Sequence, residues 1–140
     1  MSTIRLLEIR ESALDVAEVL AAVSHDAAGG VSLFVGNVRD HDGGLAVSHL
    51  DYTAHPTAVT RLAEVAAEVA AEFDVLALAA VHRTGRLEIG EAAVIVATAA
   101  AHRGEAFVAT EALIDRLKER VPIWKHQVFA DGSQEWVGTP

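Results

Sequence analysis

No cysteine occurs among the 140 residues, which excludes disulfides, thiolate metal sites and any persulfide carried on this chain. If the protein handles sulfur, the sulfur must arrive on another molecule. Basic residues are also scarce, 11 against 20 acidic ones, for a net charge of −9. Nucleic acid is therefore not an expected partner, because its binding needs a basic face that neutralises phosphates. A small anion stays possible, since a few convergent cations act locally when surface fields are screened within about 8–10 Å. With three prolines and no low-complexity stretch, no linker is visible, and the length suits one domain over residues 1–140. Charged or polar groups interrupt every apolar run before membrane-spanning length, and Met1-Ser2-Thr3-Ile4-Arg5 lacks a signal-peptide pattern. The expectation is a soluble, cytoplasmic protein without membrane contact.

What is present is alanine and valine, arranged with readable periods. A strand is expected over Thr3–Ile9 and a helix from Ala13 to Val23, with Ser12 as N-cap and Val16, Val19, Leu20 and Val23 as its apolar stripe. Val31–Val38 and Leu45–Tyr52 read as two strands of a hairpin joined by the long, mobile glycine-rich loop Asp40-His41-Asp42-Gly43-Gly44. Pro56 opens the clearest helix, whose positions Val59, Leu62, Ala66, Val69 and Phe73 keep helical spacing. Strands are then expected at Val75–His82, Arg86–Ile89 and Ala92–Ala101, with a helix from Glu105 to Arg120 carrying Phe107, Leu113, Ile114, Leu117 and Val121 on one face. Ile123–Ala130 and Glu135–Val137 close the series as strands. Strands and helices mix without regular βαβα alternation, which favours an α+β fold.

Three basic points stand out. Lys118 and Lys125 bracket the helix stop at Pro122, one on the last turn of a helix and one near the start of the following strand. Two rigid elements can thus aim two ammonium groups at one pocket. His102-Arg103 lies where an apolar strand gives way to a helix start, whose free N–H groups favour an anion and where arginine adds a planar fork. Arg39 ends the strand Phe34-Val35-Gly36-Asn37-Val38. A single lysine is more often a solvated surface charge, whereas Arg39 suits solvation and anion binding equally and the pair His102-Arg103 at a helix start favours binding. Metal is not expected, since the seven histidines show no ligand spacing such as His-Glu-x-x-His.

These segments in this order resemble the large (catalytic) subunit of molybdopterin synthase, the MoaE family. The matching pieces are Phe34-Val35-Gly36-x-Val38-Arg39, His82-Arg83-x-Gly85-x-Leu87-x-x-Gly90-Glu91, His102-Arg103 with Ala106-Phe107, Lys118-x-x-x-Pro122-Ile123-Trp124-Lys125, then Asp131-Gly132 and Trp136-Val137. The resemblance spans residues 30 to 137. It implies an α/β hammerhead fold with an additional small antiparallel sheet. It also implies a sulfurtransferase that installs the dithiolene sulfurs of molybdopterin on cyclic pyranopterin monophosphate, with no cofactor. The sulfur would come from a small ubiquitin-like partner with a C-terminal Gly-Gly thiocarboxylate, in a heterotetramer built on a homodimer of large subunits. Lys118 and Lys125 take the catalytic positions, and Asn37, Val38, Arg39, His102, Arg103, His126 and Gln127 those of substrate binding. A non-catalytic module that scaffolds the partner or binds a phosphorylated metabolite is the alternative.

Two departures from the family pattern bear on the site. His126-Gln127 stands where a basic residue and glutamate commonly follow the second lysine, which makes charge on that side depend on pH. The chain closes on Gly138-Thr139-Pro140, where many members carry a longer charged tail, so a tail contribution is expected to be absent or replaced.

Overall fold

The computed structural model describes residues 2–137, so the closing tripeptide lies outside the described residues. A first sheet is built from β1 (Ile4–Arg10), β2 (Gly30–Asn37), β5 (Ala77–Arg83) and β7 (Ala92–Ala100), in the spatial order β1-β5-β7-β2. Only β1 and β5 run parallel. The central strands read as continuous small apolar runs rather than alternating ones because both of their faces are covered. Leu78, Ala80, Val94 and Val96 face α2 (Ala58–Glu72) and α3 (Arg103–Arg120), while Ala77, Ala79, Val81, Ile95 and Ala97 face α1 (Val16–Ala22). The two-residue period of a strand thus divides one alanine-rich sequence between two cores.

Helix α3 is pinned at both ends. Near its start, the buried Thr98 hydroxyl donates to the Ala106 carbonyl at 2.9 Å and meets the Thr110 hydroxyl at 2.9 Å. Near its end, Arg116 and Arg120 both pair with Glu68 of α2 at 2.7 Å. The last turn of α3 therefore has a set position against the sheet, and Lys118 sits on that turn.

A second sheet contains β3 (His41–Asp42), β4 (Leu45–Ala54), β8 (Ile123–Phe129) and β9 (Gln134–Val137) in that order, with β6 (Gly85–Glu88) also paired to β4. Val38, Val47, Leu50, Leu87, Ala93 and Phe129 form its own core. Two sheets and three helices give the mixed α+β fold that the sequence pattern indicates.

Several local expectations are corrected. The expected hairpin of residues 31–38 with 45–52 does not form: β2 pairs with β7, and β4 with β8, from Val47 opposite Phe129 to Ala54 opposite Ile123. Nor is the glycine-rich segment a long loop. Gly43 and Gly44, with φ of 58° and 82°, make a two-residue turn that pairs β3 with β4, a conformation open to few residues but glycine. Helix α1 starts at Val16, because Asp15 rather than Ser12 caps it by accepting from the Ala17 N–H at 2.9 Å. Its stripe is narrower than expected, with Val19 and Val23 buried and Val16 and Leu20 exposed. In α3 the buried row is Ala106, Ala109, Thr110, Leu113, Ile114 and Leu117, and Phe107 stands 60% exposed beside it.

Candidate active site

The pairing of β4 with β8 places Tyr52 directly opposite Lys125 and Leu50 opposite Gln127. Their neighbours Asp51 and His126, also paired, point to the other face of the sheet. The last turn of α3 lies over the Tyr52–Lys125 face and brings Lys118 to it. Pro122 separates the helix from β8 at the junction, as expected from the sequence. Lys118, Lys125 and Tyr52 then form a shared rim between two hollows.

The first hollow, of about 220 Å³, is walled by apolar side chains such as Val94, Leu117 and Ile123, with His82 in its lining. His82 is the last inward-facing residue on the α3 side of β5, opposite Val94 of β7. Only 7% exposed, it packs edge-on against Tyr52 with ring centroids 5.0 Å apart. The second hollow, of about 240 Å³, is polar and is lined by Asn37, Arg39, Asp42 and Gln127 among others. Gln127, 2% exposed, donates from Nε2 to Asp42 Oδ2 at 2.7 Å.

Burial pushes the Lys125 ammonium below the usual lysine range; Asp42 opposes that shift, and Lys118 and Arg39 add to it. Asp42 is held below the usual carboxylate range, first by the Gln127 hydrogen bond and then by Lys125 and Arg39. Burial raises the Tyr52 hydroxyl and lowers His82 to about 4. Three cations around one carboxylate leave a net positive cleft on an otherwise acidic protein, an arrangement suited to a small phosphorylated anion.

Of the residues singled out in the sequence, Lys118, Lys125, Arg39, Asn37, Val38 and Gln127 come together here. The Arg39 side chain is 68% exposed and its Nη2 lies 3.6 Å from Asp42 Oδ1, so it is free to turn toward a ligand. Val38 is buried, and its backbone bonds to the Glu91 carbonyl and the Gly90 N–H at 3.0 and 2.8 Å, anchoring the strand that delivers Arg39. His126 does not join them. Strand alternation turns it to the opposite face, where it stacks on Trp136 at 4.5 Å and meets Gln134 Oε1 at 2.8 Å.

His102 and Arg103 are also apart from the lysines. They open α3, with His102 as N-cap, beside a separate shallow hollow shared with Gly29 and Phe107. Arg103 and Lys118 are 15 residues apart on one helix. At 1.5 Å per residue that is about 22 Å. Tyr52, His82 and Asp42 belong to the site although sequence reasoning gave them no role. The motif beginning His82-Arg83 was the available signal for one of them, while no local pattern marks Tyr52.

Known proteins resemble this chain over most of its length. The family described as MoaE protein matches residues 9–120. Molybdopterin synthase catalytic subunit 1 of Mycobacterium tuberculosis is 45% identical over 131 residues, covering 93% of this chain and 88% of that protein. The Bacillus subtilis molybdopterin synthase catalytic subunit is 38% identical over 94% of this chain and 83% of its own length. The crystal structure of molybdopterin synthase from Staphylococcus aureus is similar with a TM-score of 0.87 at 32% identity, over 94% of this chain and 96% of that one.

Proposed function

The chain belongs to the MoaE family, whose activity is molybdopterin synthesis, and we propose that the two hollows meeting at Lys118 and Lys125 are where it carries that activity out. The enzyme is a sulfurtransferase of molybdenum cofactor biosynthesis. The observation that carries the site assignment is the shared rim, since both lysines face an apolar and a polar hollow at once. In this reading the polar hollow takes the phosphate and pterin of the cyclic precursor, with Arg39, Asn37, Gln127 and the Val38 strand around it. The apolar hollow takes the extended Gly-Gly tail of the small ubiquitin-like partner. The tail's thiocarboxylate, an anion, ends between the two ammonium groups and beside the precursor.

Lys118 stabilises negative charge as it moves from sulfur to substrate, and Lys125, closer to neutrality through burial, positions the tail. The absence of cysteine agrees with a sulfur that comes in on the partner. The whole chain acts as one domain, because both sheets and α3 line the apolar hollow. It works in the cytoplasm, and none of its described helices is long and apolar enough to cross a membrane.

His102 and Arg103 lie too far from their own chain's lysines to serve the same substrate molecule. In the homodimer of large subunits they serve the neighbouring copy's site. Two features support this: the hollow beside them is open, and Glu105 Oε2 in the same first helical turn is buried without a partner, as at an incomplete interface. The test is incubation with thiocarboxylated partner and the cyclic precursor. Molybdopterin should form, and a chain that binds both reactants without making product would sink the reading in favour of a non-catalytic binding module.

A further inference from the structure

His82 is the one side chain of the apolar hollow with a free basic lone pair. Its Nδ1 lies 2.7 Å from the Arg83 carbonyl oxygen, which can only accept, so Nδ1 carries the hydrogen and Nε2 is the bare nitrogen. Nε2 has no partner among the described residues. It is not sealed in either, because the only sealed, unpartnered side-chain polar atom among those residues is Glu105 Oε2. Nε2 therefore opens on the hollow that the ring lines. An acceptor that opens on a cavity, with no protein donor to satisfy it, is placed to bond a water or ligand held there.

The proposed sulfur transfer requires such an acceptor. When the partner's thiocarboxylate sulfur has bonded to the substrate, the two are joined as a thioester. The acyl carbon that gives up sulfur must then take up oxygen, and water is the source. Water oxygen bonds to the acyl carbon, the C–S bond breaks with its electron pair on sulfur, and the tail leaves as a carboxylic acid that gives its remaining proton to solvent to become the carboxylate. One water proton must be removed as the C–O bond forms; no oxidation or reduction occurs. Lys118 and Lys125 are committed in this reading to the charge on substrate and tail, the Tyr52 phenol is not a base, and the remaining lining is apolar. Asp42 belongs to the polar hollow and is tied up by Gln127 and the cations.

Resting on the two-hollow reading above, we propose that His82 is a catalytic residue, the general base whose Nε2 takes the proton from the water that cleaves the partner–substrate thioester. The Arg83 carbonyl holds the ring in the required tautomer and the edge contact with Tyr52 holds its plane. Burial keeps the imidazole neutral at working pH, with a value near 4 in the free chain. The proton it picks up is offset by the negative charge that develops on the acyl oxygen as water adds, and it passes to the departing sulfur.

The experiment compares the parent with His82→Gln and His82→Ala in the assembled complex, using thiocarboxylated partner and cyclic precursor. Intact-mass spectrometry follows the partner during single turnover. In His82→Gln the partner–substrate adduct should form at the parent's rate and persist, with release slowed roughly 10²- to 10⁴-fold. In His82→Ala, added imidazole should restore release in proportion to its free-base concentration. Melting temperatures and partner affinity report on folding. Release within twofold of the parent in His82→Gln overturns the proposal and leaves the site reading intact, as does lost turnover with no adduct in folded variants that imidazole does not rescue. A parent chain that makes no molybdopterin sinks both readings.

Discussion

The two ends of α3 carry the same kind of chemistry in opposite surroundings. At the C-terminal end the exposed Lys118 meets the part-buried Lys125 at the rim of an apolar hollow, with both sheets contributing walls. At the N-terminal end His102 and Arg103 stand exposed beside a shallow hollow, and His102 makes no side-chain cap bond. The difference shows what one copy of the chain can complete alone. Enclosure changes Lys125, since burial pushes it down and two cations reinforce the shift. The exposed pair can grip an anion only when something closes over it. In the proposed reading one end is a reaction site, and the other is a binding surface offered outward.

The contrast can be broken most severely at Lys118. Replacement by alanine should lower kcat by roughly 10²–10³-fold or more, with the melting temperature and partner affinity nearly unchanged, because an exposed helix end leaves no core cavity. Near-parental turnover would put the chemistry elsewhere. Next comes the pH dependence of stability. The folded value of His82, about 4, lies below its ordinary 6.5, so below 6.5 the unfolded chain binds a proton that the folded chain refuses. Stability from this group is complete above pH 6.5 and falls as pH drops toward 4, by about 3 kcal/mol in all. Denaturant titrations at pH 7 and 4.5 should show this loss in the parent and much less of it in His82→Gln; equal slopes would mean that the imidazole is not buried as described.

Arg103→Ala should weaken precursor binding by one to two orders of magnitude, the worth of a charged hydrogen bond of roughly 1.5–3 kcal/mol. Mixing Arg103→Ala with Lys118→Ala sharpens the comparison between the helix ends. If each copy lends Arg103 to its neighbour, re-formed mixed dimers hold one intact site of two, and about a quarter of parental turnover should return. No recovery would mean that Arg103 is not supplied across the dimer. Lys125→Ala should act mainly on KM for the partner, about tenfold, with partial turnover at saturation. The smallest effect is expected at His126, where alanine should leave turnover within about twofold, since strand alternation points it away from the rim.

Much of the molecule is readable along the chain. The helical spacing of Leu62, Ala66 and Val69 requires α2, Pro122 ends α3 before β8, and the absence of cysteine requires sulfur from outside. The basic points and the family pattern that links them are likewise linear features. Other parts are not readable that way. Asp15 takes the cap from Ser12 because the choice depends on where the helix must stop to fit the first sheet, and Phe107 falls outside the α3 seam by one position. His126 was grouped with Lys125 and Gln127 as a neighbour in sequence, whereas the pleat sets adjacent residues on opposite faces.

By itself the sequence determined the elements, their order and the charges they carry, because periodicity, capping and proline act over a few residues. Only the tertiary structure decided which of those charges meet. Strand partners are chosen by long-range burial, and β4 passes over the adjacent β2 to pair with β8. That choice sets Tyr52 against Lys125 and brings both under Lys118 and beside His82. The same fold holds Arg103 a full helix length away, because a rigid α-helix separates its ends by the rise of every residue between them.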